Sequence, residues 1–214
     1  MAYGTNRRRA MTVNIVMLVE GATELAFNRY LKEFLNTRVS ANNRPKIRPI
    51  KYDGRIPTGD KLKRLVGYLL RGRDAVDAVV ALTDVYTGNA DFINAEDAKR
   101  KMRTWVGPEP RFHPHVAQHD FEAWLLPFWE DIKRLAGSNR ASPGPNPESV
   151  NHLHPPAHLL NEVFRAGSSG KAYVKPRDAG NILRGKDLAI SAQACPELKL
   201  LLNTLISISG GTLL

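Results

Sequence analysis

The sequence predicts an α/β fold: a mostly parallel sheet flanked by helices, with a helical extension toward the C-terminus. Three observations carry that expectation. The runs "VNIVMLV" and "VDAVVALTD" are continuously apolar rather than alternating, as strands covered on both faces must be. Each is followed by a segment whose apolar residues recur at helical spacing. Both end at a carboxylate, Glu20 in one case and Asp84 in the other.

The first unit pairs the strand "TVNIVMLV" with the helix "TELAFNRYLKEFLN", whose Leu25, Ala26, Tyr30, Leu31, Phe34 and Leu35 form an apolar stripe. The second strand, "KIRPIKY", contains a proline that cannot donate to a ladder, which places it near a sheet edge. The helix "GDKLKRLVGYLLRGR" follows, with Leu62, Leu65, Val66, Leu69 and Leu70 on one face. After the third strand, Asn94 is suited to cap the helix "NAEDAKRKMRTWVG". "RFHPHVAQ" reads as the fourth strand and "DFEAWLLPFWEDIKRLAG" as a helix interrupted at Pro127. The aromatics of that segment, Phe121, Trp124 and Phe128, are spaced as core residues rather than as a base-stacking platform.

Residues 1–136 form the expected catalytic core. From Gly137 the chain turns rich in Pro, Ser, Asn and Gly, so 137–156 reads as a long loop or lid. Helices are expected at 157–165, at about 178–190 and at 196–208, completing an extension over 137–214 that packs on the core.

Composition narrows the function classes. In 214 residues there is a single cysteine, Cys195, which excludes an internal disulfide framework and a zinc site of the CxxC kind, and suggests a reducing cytoplasm. The opening "MAYGTNRRRA" lacks the apolar core of a signal peptide, and no run is long enough to span a membrane. Lys and Arg number 31 against 21 Asp and Glu, a net charge of +10, which suits a polyanionic partner. Neither a phosphate loop nor a GxGxxG turn is present. His113, His115, His119, His152, His154 and His158 read as ordinary strand and loop residues rather than as a zinc cluster.

The carboxylates carry the functional argument. In a parallel α/β sheet, groups at the carboxyl ends of the strands collect on one edge, where ligands bind. Glu20, Asp84, Asp120 and Glu122 stand at three such ends, and Glu24 joins them if the first helix begins near Gly21. Packed acids repel unless a cation neutralises them, and oxygen ligands suit Mg2+ or Mn2+. Taken singly, each acid has a plainer reading, as a helix cap or as a complement to a helix dipole. Gly21 fits a tight turn from strand to helix that lets a ligand approach the backbone.

"LVEGATE" resembles the first motif of the Toprim domain, the catalytic fold of topoisomerases, primases and OLD-type nucleases. "TDVYTGNADF", "HDFEAWLLP", "YVKPRDA" and "CPELKLLLNTL" extend the likeness to a bacterial, Toprim-like family of domains of unknown function, from Val13 to Leu205. The resemblance implies that Glu20 does acid-base work and that phosphodiester bonds of DNA, or alternatively RNA, are cleaved with Mg2+ or Mn2+. It gives the metal to Glu20, Glu24, Asp84, Asp120 and Glu122. Lys175 and Arg177 are the candidates for a cation that supports developing charge, with ordinary surface charge as their plain alternative. Relatives of this kind stand beside ABC-type or AAA-type ATPases in antiphage systems, which implies an ATPase partner and allows an oligomer. The departure is Tyr86, where the Toprim pattern has a second aspartate. That leaves a second reading open, a catalytically silent module that binds nucleic acid or regulates an ATPase complex.

Overall fold

The computed structural model describes residues 12–52, 54–85, 91–150, 154–168 and 170–214. Tyr86 and His152 lie outside them. Four strands form one parallel sheet in the order β2-β1-β3-β4, where β1 is Asn14–Val19, β2 Lys46–Lys51, β3 Ala78–Val85 and β4 Phe112–Gln118. The helices between them are α1 (Ala22–Arg38), α2 (Gly59–Arg71) and α3 (Ala95–Val106). β2 is an edge strand, and its Pro49, set opposite Met17, is tolerated there because the outer side of the strand has no ladder to complete.

The continuous apolarity of the central strands has a direct cause. Ile15, Met17 and Val19 of β1, with Val80 and Leu82 of β3, face one buried layer, whereas Val16, Leu18, Val79 and Ala81 face a second. The second layer is closed by α2 and α3 through Leu62, Val66, Leu69, Ala98 and Met102. The first is closed by α1 and by every helix after β4: α4 (Trp129–Ala136), α5 (Pro156–Ala166), α6 (Lys175–Leu183), α7 (Leu188–Ala194) and α8 (Pro196–Ile208). Residues beyond 136 therefore share the core of the sheet itself.

Several elements differ from expectation. The buried face of α1 runs through Phe27, Leu31, Phe34 and Leu35, while Leu25 is 40% exposed and so lies off the stripe assigned to it. The segment Phe121–Phe128 is a 3-10 helix that passes into α4 at Trp129. Its Phe121 and Trp124 interlock with Phe27 of α1, at centroid distances of 5.0 and 5.8 Å, in the core as expected. The single helix expected at 178–190 is two. Gly185 takes a left-handed φ of 70°, which ends the first, and Asp187 starts the second by accepting from the Ala189 amide at 2.9 Å. Asn94 caps α3 as expected, accepting from the Asp97 amide at 2.9 Å.

Candidate active site

The site grows from the carboxyl edge of the sheet. β1 ends at Val19, Glu20 follows at once, and Gly21 is the residue before α1. Gly21 has ordinary extended dihedrals (φ −132°, ψ −176°), so conformational freedom is not what it supplies. Its amide donates to Glu24 Oε2 at 3.1 Å, and a Cβ at this position would stand 2.9 Å from that same oxygen. The missing side chain makes room for the Glu24 carboxylate, which is buried.

On β3, Thr83 donates its hydroxyl to Glu20 Oε1, joining the two central strands at their ends. Asp84 sits inside the strand, one residue before its end, and by the alternation of the strand it shares a face with Val80 and Leu82, toward α1 and the 3-10 helix. β4 ends at Gln118 and the chain turns through His119, whose φ of 70° is rare for a residue with a side chain. That turn delivers the buried Asp120 and Glu122. Asp120 Oδ2 accepts from the Ala157 amide at the start of α5, at 3.0 Å. Glu122, with no exposed surface, has Lys175 Nζ 3.3 Å from Oε2 and the Tyr173 hydroxyl 3.5 Å from Oε1.

Electrostatics tie these groups into one cluster. Burial drives the Asp84 carboxyl well above the usual range, and the charges of Glu24, Glu20, Asp120 and Glu122 push it further in the same direction. Burial likewise raises Asp120 to about 6, against the Ala157 amide and the Lys175 charge. Glu122 rises to about 7, mainly by burial and then by repulsion from Asp120. Glu20 is raised by burial, an effect opposed by the Thr83 hydroxyl and the Arg55 guanidinium. Burial would depress Lys175, yet the attraction of Glu122, Asp120 and Asp84 holds it above the ordinary lysine value.

Six of the seven residues singled out from sequence thus meet electrostatically at Asp84: Glu20, Glu24, Asp120 and Glu122 raise it, and its own charge acts on Lys175. Arg177 is directed elsewhere: its Nε donates to Asp178 Oδ1 at 2.8 Å and its Nη2 to Asp178 Oδ2 at 3.0 Å. Two contributors escaped the sequence reading. Arg55, in the loop after β2, acts on Glu20 while pairing with Asp91. It stands after a strand as the acids do, so the same positional rule would have found it. Tyr173 carried no such signal.

The acids suit a divalent ion by donor chemistry, although among the described residues no three of them hold ligand oxygens within 4.8 Å of one another, so an ion would have to draw their side chains together. Five carboxylates face a single direct lysine partner, and Asp120 Oδ1 is buried without a hydrogen bond. A hard cation would satisfy that oxygen and reverse the mutual repulsion, and Glu20, Glu24, Asp84, Asp120 and Glu122 offer oxygen donors only.

A parallel α/β sheet with an acidic rim at its carboxyl edge defines the class of the protein. The chain belongs to the family described as Domain of unknown function (DUF4276), whose model matches residues 19–206. In structure it is similar to the C-terminal region of the Burkholderia pseudomallei OLD protein, at 12% identity over 93% of this chain and 100% of that chain, with a TM-score of 0.49. It is also similar to the C-terminal region of the Xanthomonas campestris pv. campestris OLD protein, at 16% identity over 88% of this chain and 95% of that chain, with a TM-score of 0.39. No curated protein matches the chain. Among the described residues, no helix is long and apolar enough to cross a membrane.

Proposed function

We propose that the chain is a Mg2+- or Mn2+-dependent nuclease of the Toprim type, cleaving phosphodiester bonds in DNA. The reading is carried by one observation: Glu20, Asp84, Asp120 and Glu122, distant in sequence, stand at the carboxyl ends of β1, β3 and β4 on one edge of the parallel sheet, with Asp120 and Glu122 buried there. Asp84, Asp120, Glu122 and Glu24 are the ligands in this scheme, with Glu20 shared between ligation and proton transfer. A bound divalent ion would supply Lewis-acid stabilisation of the phosphoryl oxygens and of the leaving group. Glu20, partly exposed and raised by burial, takes the proton of the attacking water. Lys175, with 52% of its side chain in solvent, offers its ammonium to a phosphate oxygen while Glu122 fixes its position. Arg177 is left to the Asp178 pair in this scheme and to phosphate contacts outside the rim. The net charge of +10 supports a nucleic-acid partner. An ATPase subunit of an antiphage system is the partner the scheme assigns, delivering DNA to the rim.

Supercoiled plasmid incubated with the full chain in Mn2+ tests this reading. Nicking that disappears in Glu20→Gln is the expected result, with slower nicking in Mg2+. Intact plasmid at excess protein in both metals, with and without an ATPase partner, would overturn it.

A second reading, a silent module that binds nucleic acid, is favoured by the ammonium that Lys175 already places on Glu122 and by Tyr86 in place of the second aspartate. It expects salt-sensitive DNA binding with no cleavage, and no gain in metal binding on Tyr86→Asp.

A further inference from the structure

A metal site built on the loop histidines would need a further ligand, such as a carboxylate, beside them. The structure supplies one. His158 and Glu162 are one helical turn apart on α5, and His158 Nδ1 lies 3.3 Å from Glu162 Oε1. His154, in the turn just ahead of the helix, places its ring 5.2 Å from that of His158, centroid to centroid. One ligand atom from each of the three, two imidazole nitrogens and a carboxylate oxygen, can be chosen so that all lie within 4.8 Å of one another.

We infer that His154, His158 and Glu162 form a second metal site, one for a transition ion of the Zn2+ class, separate in place and chemistry from the acidic rim. The distances support three ligands of a tetrahedral ion. With metal–ligand bonds of roughly 2.0–2.1 Å, two ligand atoms of such an ion stand about 3.3 Å apart, which is the His158 to Glu162 separation already present. His154 and His158 are both exposed, so their rings have room to turn toward a shared ion. Water completes the fourth position.

The donor set decides the kind of ion. Two imidazoles and one carboxylate suit Zn2+, Ni2+ or Cu2+, whereas Mg2+ and Mn2+ prefer the oxygen-only rim. Glu162 is also oriented for the task. Arg140 Nη1 holds its other oxygen, Oε2, at 3.0 Å, which leaves Oε1 turned toward His158. The residue before His158 is Ala157, whose amide holds Asp120, so an ion here would fasten the start of α5 next to the rim. Binding of the ion does not depend on the nuclease reading.

Calorimetric titration of the full chain with Zn2+ tests the inference, carried out on Asp84→Asn so that the acidic rim contributes little. One Zn2+ per chain is expected, with a dissociation constant of about 10 μM or tighter. His158→Ala, an exposed helical position where substitution leaves the core untouched, should weaken it by about tenfold or more, and Glu162→Gln should do the same. Co2+ in place of Zn2+ should give the visible absorption of a tetrahedral site, absent in His158→Ala. No uptake at 100 μM Zn2+, or uptake unchanged in the double variant His154→Ala, His158→Ala, would overturn it.

Discussion

Lys175 Nζ lies 3.3 Å from Glu122 Oε2, an ammonium with half its side chain in solvent meeting a carboxylate that has almost none. Lys175 opens α6 while Glu122 belongs to the 3-10 helix after β4, so the pair fastens the C-terminal helices to the sheet edge. The asymmetry matters. The lysine can leave for water, but the glutamate cannot follow it.

Lys175→Met should therefore destabilise the metal-free protein by about 1–2 kcal/mol at pH 8, less than a fully buried pair costs because the lysine is half exposed. At pH 5.5, below the value of about 7 to which Glu122 is raised, the carboxyl is protonated and the cost should shrink toward zero. Urea denaturation at the two pH values checks this. An equal cost at both would show that the lysine contributes by packing alone.

Stability of the metal-free protein should fall as pH rises. Asp120 and Glu122 have folded values of about 6 and about 7 against ordinary values of 3.8 and 4.5. Raised acids favour the folded state fully below the unfolded value, and that contribution is lost as pH climbs through the folded one. The window is pH 4 to 8, and the loss is on the order of a few kcal/mol. Acids held low by ion pairs, such as Asp97 and Glu109, act in the opposite direction below this window. His115, lowered to about 3 by burial, and His113, also lowered by burial, act in the opposite direction within it, up to the ordinary histidine value of 6.5, and offset part of the loss. Thermal melts in chelator should show a higher Tm at pH 5.5 than at pH 8, and Mn2+ should recover the difference at pH 8. A Tm that rises over this range without metal would contradict the cluster as described.

Gly21→Ala tests the close approach at the strand exit. The backbone there is extended and accepts any residue, yet the new Cβ would meet Glu24 Oε2 at 2.9 Å. The carboxylate must move, so a cost of about 0.5–1.5 kcal/mol is expected, together with weakened Mn2+ binding. Stability and affinity both unchanged would mean that Glu24 shifts without consequence.

Much of this arrangement is legible in the sequence, because burial on both faces leaves an unbroken apolar run and the end of that run locates an acid. Val13 to Val19 and Ala78 to Asp84 read that way, and the parallel order then brings their ends together. The direction of a side chain is harder to read. Lys175 and Arg177 lie two apart on α6, roughly 200° around the helix, so both cannot face the same rim, and only tertiary packing selects the lysine. Gly185 is compatible with a continuous helix by spacing, and only its left-handed φ divides α6 from α7. The strand-to-helix turn at Gly21 is legible, whereas the closeness of Glu24 Oε2, a relation within the first helical turn, is not something spacing alone reveals.

The central claim is that the acids of β1, β3 and β4 hold one divalent ion between them, and Mn2+ titration followed by electron paramagnetic resonance at pH 7.5 tests it most directly. Asp84 feels every other acid of the rim, so its removal should be felt most. The account predicts that the parent chain takes up Mn2+ and that Asp84→Asn weakens this by about tenfold or more, with unchanged circular dichroism. Parent protein that leaves Mn2+ free at millimolar concentration, or an Asp84→Asn variant that binds it as well as the parent, would contradict the account.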